Sequence, residues 1–387
     1  MEAIGTLAIA QTITQYVITG TDLGLRSIGA RLIAKDHNVA PFVIKYVEKR
    51  RGILNLICVM FGGGYVLFSN LSENTKIFTF FYLLTSLPYF LFIDWVFWGL
   101  EKFILLGLWR ACVSLISCVG GICIIMLTHK SLFSLVWSNL ISIISGSAIL
   151  FYFWMKNSHV FEKKNNIDEI RKELNLRSAV FLGIAIFFNQ TFQSFDVLLL
   201  GGMSNTHEVG IYNAAYKILF LVFGGYYLLT QGLFPEIAKR SESSVLIKSL
   251  LKYGAISFLF GVIVAVIIAF FSTQIISLIY GVKFLAAQRV LNILLLALPM
   301  EFFVALMGTA LTGMGYNKIL FFVTVLGAAI NIILNIFLIP RFMSIGSAWA
   351  TVLSYLILTF VILIFFIRKM LTNIKLERSV VNEFCKV

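Results

Sequence analysis

Seven ionisable side chains, Asp22, Arg26, Asp94, Arg110, Asp196, Lys217 and Glu301, fall inside long apolar stretches of this 387-residue chain. A charge at the centre of a bilayer costs about 2.5–3.5 kcal/mol on insertion scales, so such residues face an interior or a wet pathway. The cations Lys217, Arg110 and Arg26 have the chemistry to hold a phosphate through charge-assisted hydrogen bonds. The carboxylates Glu301, Asp196, Asp94 and Asp22 can take up a coupling ion or pair helices. Counting about 1.5 Å per residue puts Asp196 and Lys217 about 8 and 12 Å from one face on successive antiparallel helices. An ion pair stapling that hairpin competes with a free Lys217 lining a cavity. Asp94 and Arg110 sit at matching depths near the opposite face and offer a second staple. Asp22 and Arg26 are four residues apart near a helix end, where an arginine can snorkel. Glu301 follows Pro299 near midplane with no partner at its depth. A charged carboxylate there is costly, so Glu301 is a candidate to take up a proton as a cavity dries and release it as the cavity wets. The alternative is a neutral glutamic acid bonded to a neighbouring helix.

The elements that carry these residues are eleven apolar stretches, at about 3–25, 52–71, 77–99, 103–127, 131–155, 179–201, 209–233, 253–280, 289–312, 317–338 and 344–367. Each is long enough for a hydrocarbon core, which takes about 20 helical residues. The chain is 59% hydrophobic and only 13% charged, with mean hydropathy +0.93, which excludes a soluble globule. The apolar runs are unbroken and twice the length of a barrel strand, so spanning helices are expected and a β-barrel is not.

The net charge of +13 invites a nucleic-acid reading that its distribution rejects. Twenty-three Lys and Arg fall in loops on the side of residues 27–51, and five fall on the other. That bias is a topology signal; it places residues 31–51, 156–178 and the tail after 368 in the cytoplasm. No nucleic acid is an expected partner. Four of the five cysteines, Cys58, Cys112, Cys118 and Cys123, lie in spans and Cys385 in the tail. None is spaced for metal, and all read as packing residues. No cofactor and no catalytic residue is indicated. Trp98, Trp109 and Trp154 stand near helix ends and fit interfacial belts.

The expected organisation is a five-helix bundle over 1–155, a cytoplasmic linker over 156–178 with a short interfacial helix, a six-helix bundle over 179–367, and a cytoplasmic tail over 368–387. The halves echo one another. Gly5, Ala10 and Ala34-Lys35 match Gly210, Ala215 and Ala238-Lys239, while Leu87-Pro88 matches Leu298-Pro299. Parallel repeats of this kind put a binding site between them. Eleven spans with an internal C-terminus leave Met1 outside without a basic flank. A further helix encoded upstream of Met1 is therefore expected.

Five segments, TDLGLRSIGARLIAK (21–35), FIDWVFWGLEK (92–102), EVGIYNAAYKI (208–218), LIYGVKFLAAQRVLNIL (278–294) and GAAINIILNIFLIPRFMSIGSAWATVLSYL (327–356), resemble the polysaccharide-transport family. These are the O-antigen and exopolysaccharide repeat-unit flippases (Wzx-type) of the multidrug/oligosaccharidyl-lipid/polysaccharide (MOP) exporter superfamily. The resemblance covers nearly the whole chain, apart from the family's first helix. It implies an all-α, MATE-like fold of two helical bundles in a V, embedded in the bacterial inner membrane. It also implies a polyprenyl-diphosphate-linked oligosaccharide as substrate, moved to the periplasmic leaflet by alternating access. The polysaccharide polymerase and chain-length machinery would be its partners. No phosphate-binding G-x-x-x-x-G-K-[ST] loop is present, so energy would come from an ion gradient or downhill product removal. Two other classes compete. A polymerase or ligase needs a large outer loop, and the longest here is about eight residues. A drug/cation antiporter of the same superfamily should have a strongly acidic cavity, whereas here the charges are mixed.

Overall fold

The computed structural model describes residues 1–127, 132–157, 176–232, 237 and 244–384, and its regular structure among them is entirely helical. The chain divides into two compact units. One is Thr6–Gln190, and the other joins Met1–Gly5 to Thr191–Val387. We call them the N-terminal and C-terminal units.

The N-terminal unit holds α1 (Glu2–Asp22), α2 (Leu25–Lys35), α3 (Ala40–Phe68), α4 (Glu73–Leu84), α5 (Asp94–Gly99), α6 (Phe103–Leu127) and α7 (Phe133–Asn157). Helix α1 begins in the other unit. Residues 27–51, read from sequence as a cytoplasmic loop, are instead α2, a 3-10 turn at His37–Val39 and the start of α3. Their charges mask a stripe: Val43, Val47, Arg51 and Asn55 recur every four residues and are all buried. The stretch 77–99, read as one span, is broken. It runs α4, a 3-10 segment Leu87–Leu91 with Pro88 at its start, then α5. Proline lacks an N–H, so the helix cannot continue through it unaltered. Helices α2 and α5 cross closely. A Cβ on Gly29 would lie 2.5 Å from the Trp95 ring, and one on Gly99 would lie 2.7 Å from the Ala30 carbonyl. Around this crossing Leu32, Ile33, Val43, Trp95, Phe97 and Leu106 form the core.

The C-terminal unit holds α8 (Leu176–Met203, which starts in the other unit), α9 (Thr206–Gln231), α10 (Ser244–Phe270), α11 (Ser272–Tyr280), α12 (Ala287–Leu294), α13 (Leu298–Gly313) and α14 (Asn317–Phe384). The span expected at 253–280 starts earlier, at Ser244, and stops at Phe270. Helices α12 and α13 meet at 44°, where Pro299 stands at a helix start. This bend and the break at Pro88 occupy the two positions that the sequence repeat pairs. Helix α14 contains Pro340 and breaks at Met343 (φ 51, ψ −127), so its 68 residues are two helices. Gly5 and Gly210, also paired by the repeat, pack together; a Cβ on Gly5 would sit 1.8 Å from the Thr206 carbonyl and 3.0 Å from the Gly210 nitrogen. Such small-residue crossings let backbones approach where no water drives association.

Among the described residues eight helices are long and apolar enough to cross a membrane, or nine with the bent α12–α13 pair. One of the eight is α14, which the Met343 break divides in two. Helix α1 is 21 residues long, enough for a crossing, but five Thr and two Gln lower its apolarity. The chain is a multi-pass membrane protein. The interfacial helix expected within 156–178 falls largely outside the described residues.

Candidate functional site

Two buried polar clusters gather five of the seven singled-out residues, all but the cations Arg110 and Lys217. In the N-terminal unit the breaks after α1 and before α5 free backbone groups that helices would otherwise satisfy. The α1–α2 break runs through Leu23 (φ 32) and Gly24 (φ 77) and brings Asp22 beside α3. Arg26 donates to Asp22 at 3.0 Å, to the Tyr89 hydroxyl at 2.9 Å and to both oxygens of Asp94 at 2.5 Å. Arg51, with no exposed side-chain area, closes the network. Its Nε donates to Asp22 at 3.0 Å and one terminal nitrogen donates to Glu48 at 2.7 Å. Its terminal nitrogens also reach the carbonyls of Phe90 (3.1 Å), Phe92 (3.0 Å) and Tyr89 (3.4 Å). The Trp95 indole N–H donates to Glu48 at 3.0 Å. Three carboxylates and two guanidiniums thus tie two broken helices to α3, and Arg51 satisfies carbonyls that the 3-10 segment leaves open. In an apolar surrounding, unsatisfied backbone carbonyls are costly.

The expected Asp94–Arg110 staple is absent. Both Asp94 oxygens belong to Arg26, because the chain turn at Leu23–Gly24 brings α2 against α5. Arg110 is exposed, lies 6.0 Å from the Trp98 ring centroid, and makes no ion pair among the described residues. The Asp22–Arg26 pair forms as expected, but as part of the larger network rather than as a solvated pair. Trp109, expected at the interface, is buried and donates to the Gly146 carbonyl at 2.9 Å.

In the C-terminal unit Asp196 and Glu301 are buried among hydroxyls. Tyr212 donates to Asp196 Oδ2, and the Val197 N–H donates to Oδ1 at 2.8 Å. The Tyr212 hydroxyl lies 3.3 Å from Thr351. Tyr216 stacks on Tyr212 with centroids 5.8 Å apart and lies within electrostatic reach of both carboxyls. The Tyr355 hydroxyl hydrogen-bonds to Glu301, while Glu301 Oε2 is buried without a partner. The expected Asp196–Lys217 pair is absent, since Tyr212 supplies the donor. Lys217 is exposed on α9 and makes no ion pair among the described residues.

Sequence reasoning missed Arg51, Glu48, Tyr89, Tyr212 and Tyr355. The stripe Val43, Val47, Arg51 and Asn55 signalled the first. Tyrosines carry no charge, so a search for intramembrane charges passes over them.

A model of the family described as polysaccharide biosynthesis protein matches residues 1–241. The chain is 24% identical over 222 residues to a probable low-salt glycan biosynthesis flippase, Agl15, of Haloferax volcanii, covering 56% of this chain and 46% of that protein. It spans half or less of the length of the curated relatives it matches. An inward-facing multidrug resistance MATE family transporter of the MOP superfamily superposes with TM-score 0.75 at 14% identity, covering 97% of this chain and 92% of that one. The lipid II flippase MurJ, in an inward closed conformation, gives TM-score 0.60 at 18% identity, covering 99% and 90%. Those superpositions establish an all-helical, MATE-like fold. With its family match spanning more than half of its residues, the chain belongs to the polysaccharide biosynthesis protein family.

Proposed function

We propose that the chain is a flippase for a polyprenyl-diphosphate-linked oligosaccharide, such as an O-antigen or related surface-polysaccharide repeat unit. It moves the unit from the cytoplasmic to the outer leaflet of the inner membrane by alternating access, coupled to an ion gradient. One observation carries the reading beyond family membership. Each unit leaves one intramembrane cation, Arg110 or Lys217, without a carboxylate, whereas Arg26 and Arg51 are neutralised. An intramembrane cation held without a counter-ion suits an anionic ligand that arrives and leaves. Lys217, Arg110 and Arg26 are the proposed diphosphate cations, with Arg26 tuned by its carboxylates. Glu301, Asp196, Asp94 and Asp22 are the proposed ion-coupling or helix-pairing groups. A polymerase and chain-length proteins would act on the flipped unit.

The test is flipping by proteoliposomes of a fluorescent polyprenyl-diphosphate oligosaccharide, read by accessibility to a membrane-impermeant quencher. Protein-dependent exposure is expected. Lys217→Ala should slow it by about tenfold, the effect of one charge-assisted contact, and Lys217→Arg should restore part of it. No flipping by protein that exchanges protons for a cationic dye would favour the antiporter reading, for which the base-free Asp196–Glu301 cluster is the supporting observation.

The orientation has its own check. A reporter active only outside the cytoplasm, fused after Val387, is expected to be silent, because the charge bias holds the basic loops inside. A bright signal would reverse the topology.

A further inference from the structure

The corner between α5 and α6 holds hydrogen-bond donors that no acceptor in the described structure uses. Arg26 and Arg110 each place their guanidinium carbon 6.0 Å from the Trp98 ring centroid, within the range of cation–π attraction. The two arginines are not equivalent. Arg26 spends its terminal nitrogens on Asp22, Asp94 and Tyr89. Arg110 has no ion pair or hydrogen bond among the described residues, and both oxygens of Asp94 are held by Arg26. Trp98 is 40% exposed, and its indole N–H likewise finds no acceptor there.

The corner is fixed. Helix α5 ends with the Glu101 N–H bonded to Trp98 O at 3.1 Å and the Lys102 N–H bonded to Phe97 O at 2.9 Å. Glu101 takes a left-handed conformation (φ 58), which residues other than glycine adopt only when the surrounding structure holds them there. On the far face, Gly99 holds α5 against α2. Trp98 is thereby set beside α6, and its ring holds Arg110. Glu101 and Lys102 at the same corner are both exposed and offset each other in charge. Arg110 lies seven residues into α6, about 10 Å along its axis. A planar fork of donors without acceptors matches the oxygens of a phosphate.

We propose that Arg110, positioned by Trp98, binds the phosphate of a lipid headgroup on the basic-loop side of the membrane. Two sources share that chemistry: the diphosphate of a lipid-linked glycan and the phosphate of a bulk anionic phospholipid. The first source rests on the flippase reading. Arg110 is the contact residue, and Trp98 acts through it.

The full chain in zwitterionic phosphatidylcholine nanodiscs, titrated with farnesyl diphosphate and read by native mass spectrometry, tests the site. Arg110→Ala and Trp98→Ala are each expected to weaken binding about tenfold, as for loss of one charge-assisted group. Trp98→Phe, which keeps an aromatic face, should recover most of the loss. Arg110→Lys should recover only part, since an ammonium lacks the fork. Phosphatidylglycerol added to the discs separates the sources. Displacement of the probe that depends on Arg110 assigns the site to bulk phospholipid, and no displacement assigns it to the diphosphate lipid. Wild-type affinity in both alanine variants overturns the site. Should either alanine variant fail to fold, unchanged affinity in both Trp98→Phe and Arg110→Lys overturns it equally. The flipping assay fails separately: probe binding that needs Arg110, without flipping, keeps the site and removes the flippase reading.

Discussion

Replacing Arg51 with methionine is expected to leave little folded protein. The side chain is wholly buried and holds Asp22, Glu48 and the carbonyls of Tyr89, Phe90 and Phe92. Methionine fills similar volume but, among the described residues, takes the only cation from Glu48, one of two from Asp22, and the donor from three carbonyls at the break between α4 and α5. Removing one partner of a buried ion pair costs about 3–5 kcal/mol, a large part of the stability of a typical domain. Arg51→Lys keeps the charge, yet an ammonium cannot fork between Asp22, Glu48 and the carbonyls at once. It should fold with a lowered thermal midpoint. The neighbouring Lys49 is exposed, and Lys49→Met should change stability by no more than about 0.5 kcal/mol. Fluorescence-detected size exclusion and thermal unfolding in detergent measure all three. A monodisperse Arg51→Met variant with the wild-type midpoint would show that the network is dispensable.

The same residue shows where sequence reading succeeded and where it stopped. Long apolar runs were legible because bilayer thickness sets their length, so most spans lie within a few residues of the helices. The breaks were not. Averaged hydropathy cannot separate α4, the 3-10 turn and α5, although Pro88 marks the place. Residues 27–51 read as a loop because Arg31, Lys35, Lys45, Lys49 and Arg50 outweigh the stripe at Val43, Val47 and Arg51. Depth counting found Asp94 and two arginines but chose the wrong partner. Depth fixes height and says nothing about which helix lies alongside, and the Leu23–Gly24 turn decides that. In the C-terminal unit the acids were found and their partners missed, since the partners are tyrosine hydroxyls. The pairing of Gly5 with Gly210 was visible as a repeat before it was visible as a contact.

Glu301→Gln is expected to insert and fold like the wild type yet lose gradient-driven transport. Glu301 is 3% exposed, receives the Tyr355 hydroxyl and keeps Oε2 buried without a partner. No cation pairs with it among the described residues, so a charge there is uncompensated in an apolar interior. A proton removes that cost, and a state that wets the site lets the proton leave. Under the proposed function, occupancy by a proton and opening of the site are then linked, and linkage of this kind carries about 1–3 kcal/mol. Glutamine preserves size and hydrogen bonding but cannot release a proton, so the two access states lose their difference. Transport driven by an imposed pH gradient should fall by about tenfold or more, within that coupling range, while binding of farnesyl diphosphate stays unchanged. Glu301→Asp retains the titrating group on a shorter stem and should keep part of the rate. Tyr355→Phe removes the one hydroxyl bonded to the carboxyl and should shift the pH at which transport is half-maximal without abolishing it. Proteoliposomes with a controlled pH gradient distinguish these outcomes. Undiminished gradient-dependent flipping by Glu301→Gln would exclude Glu301 as the coupling group and pass the role to Asp196, which shares the tyrosine cluster, or to Asp22 and Asp94 in the arginine network.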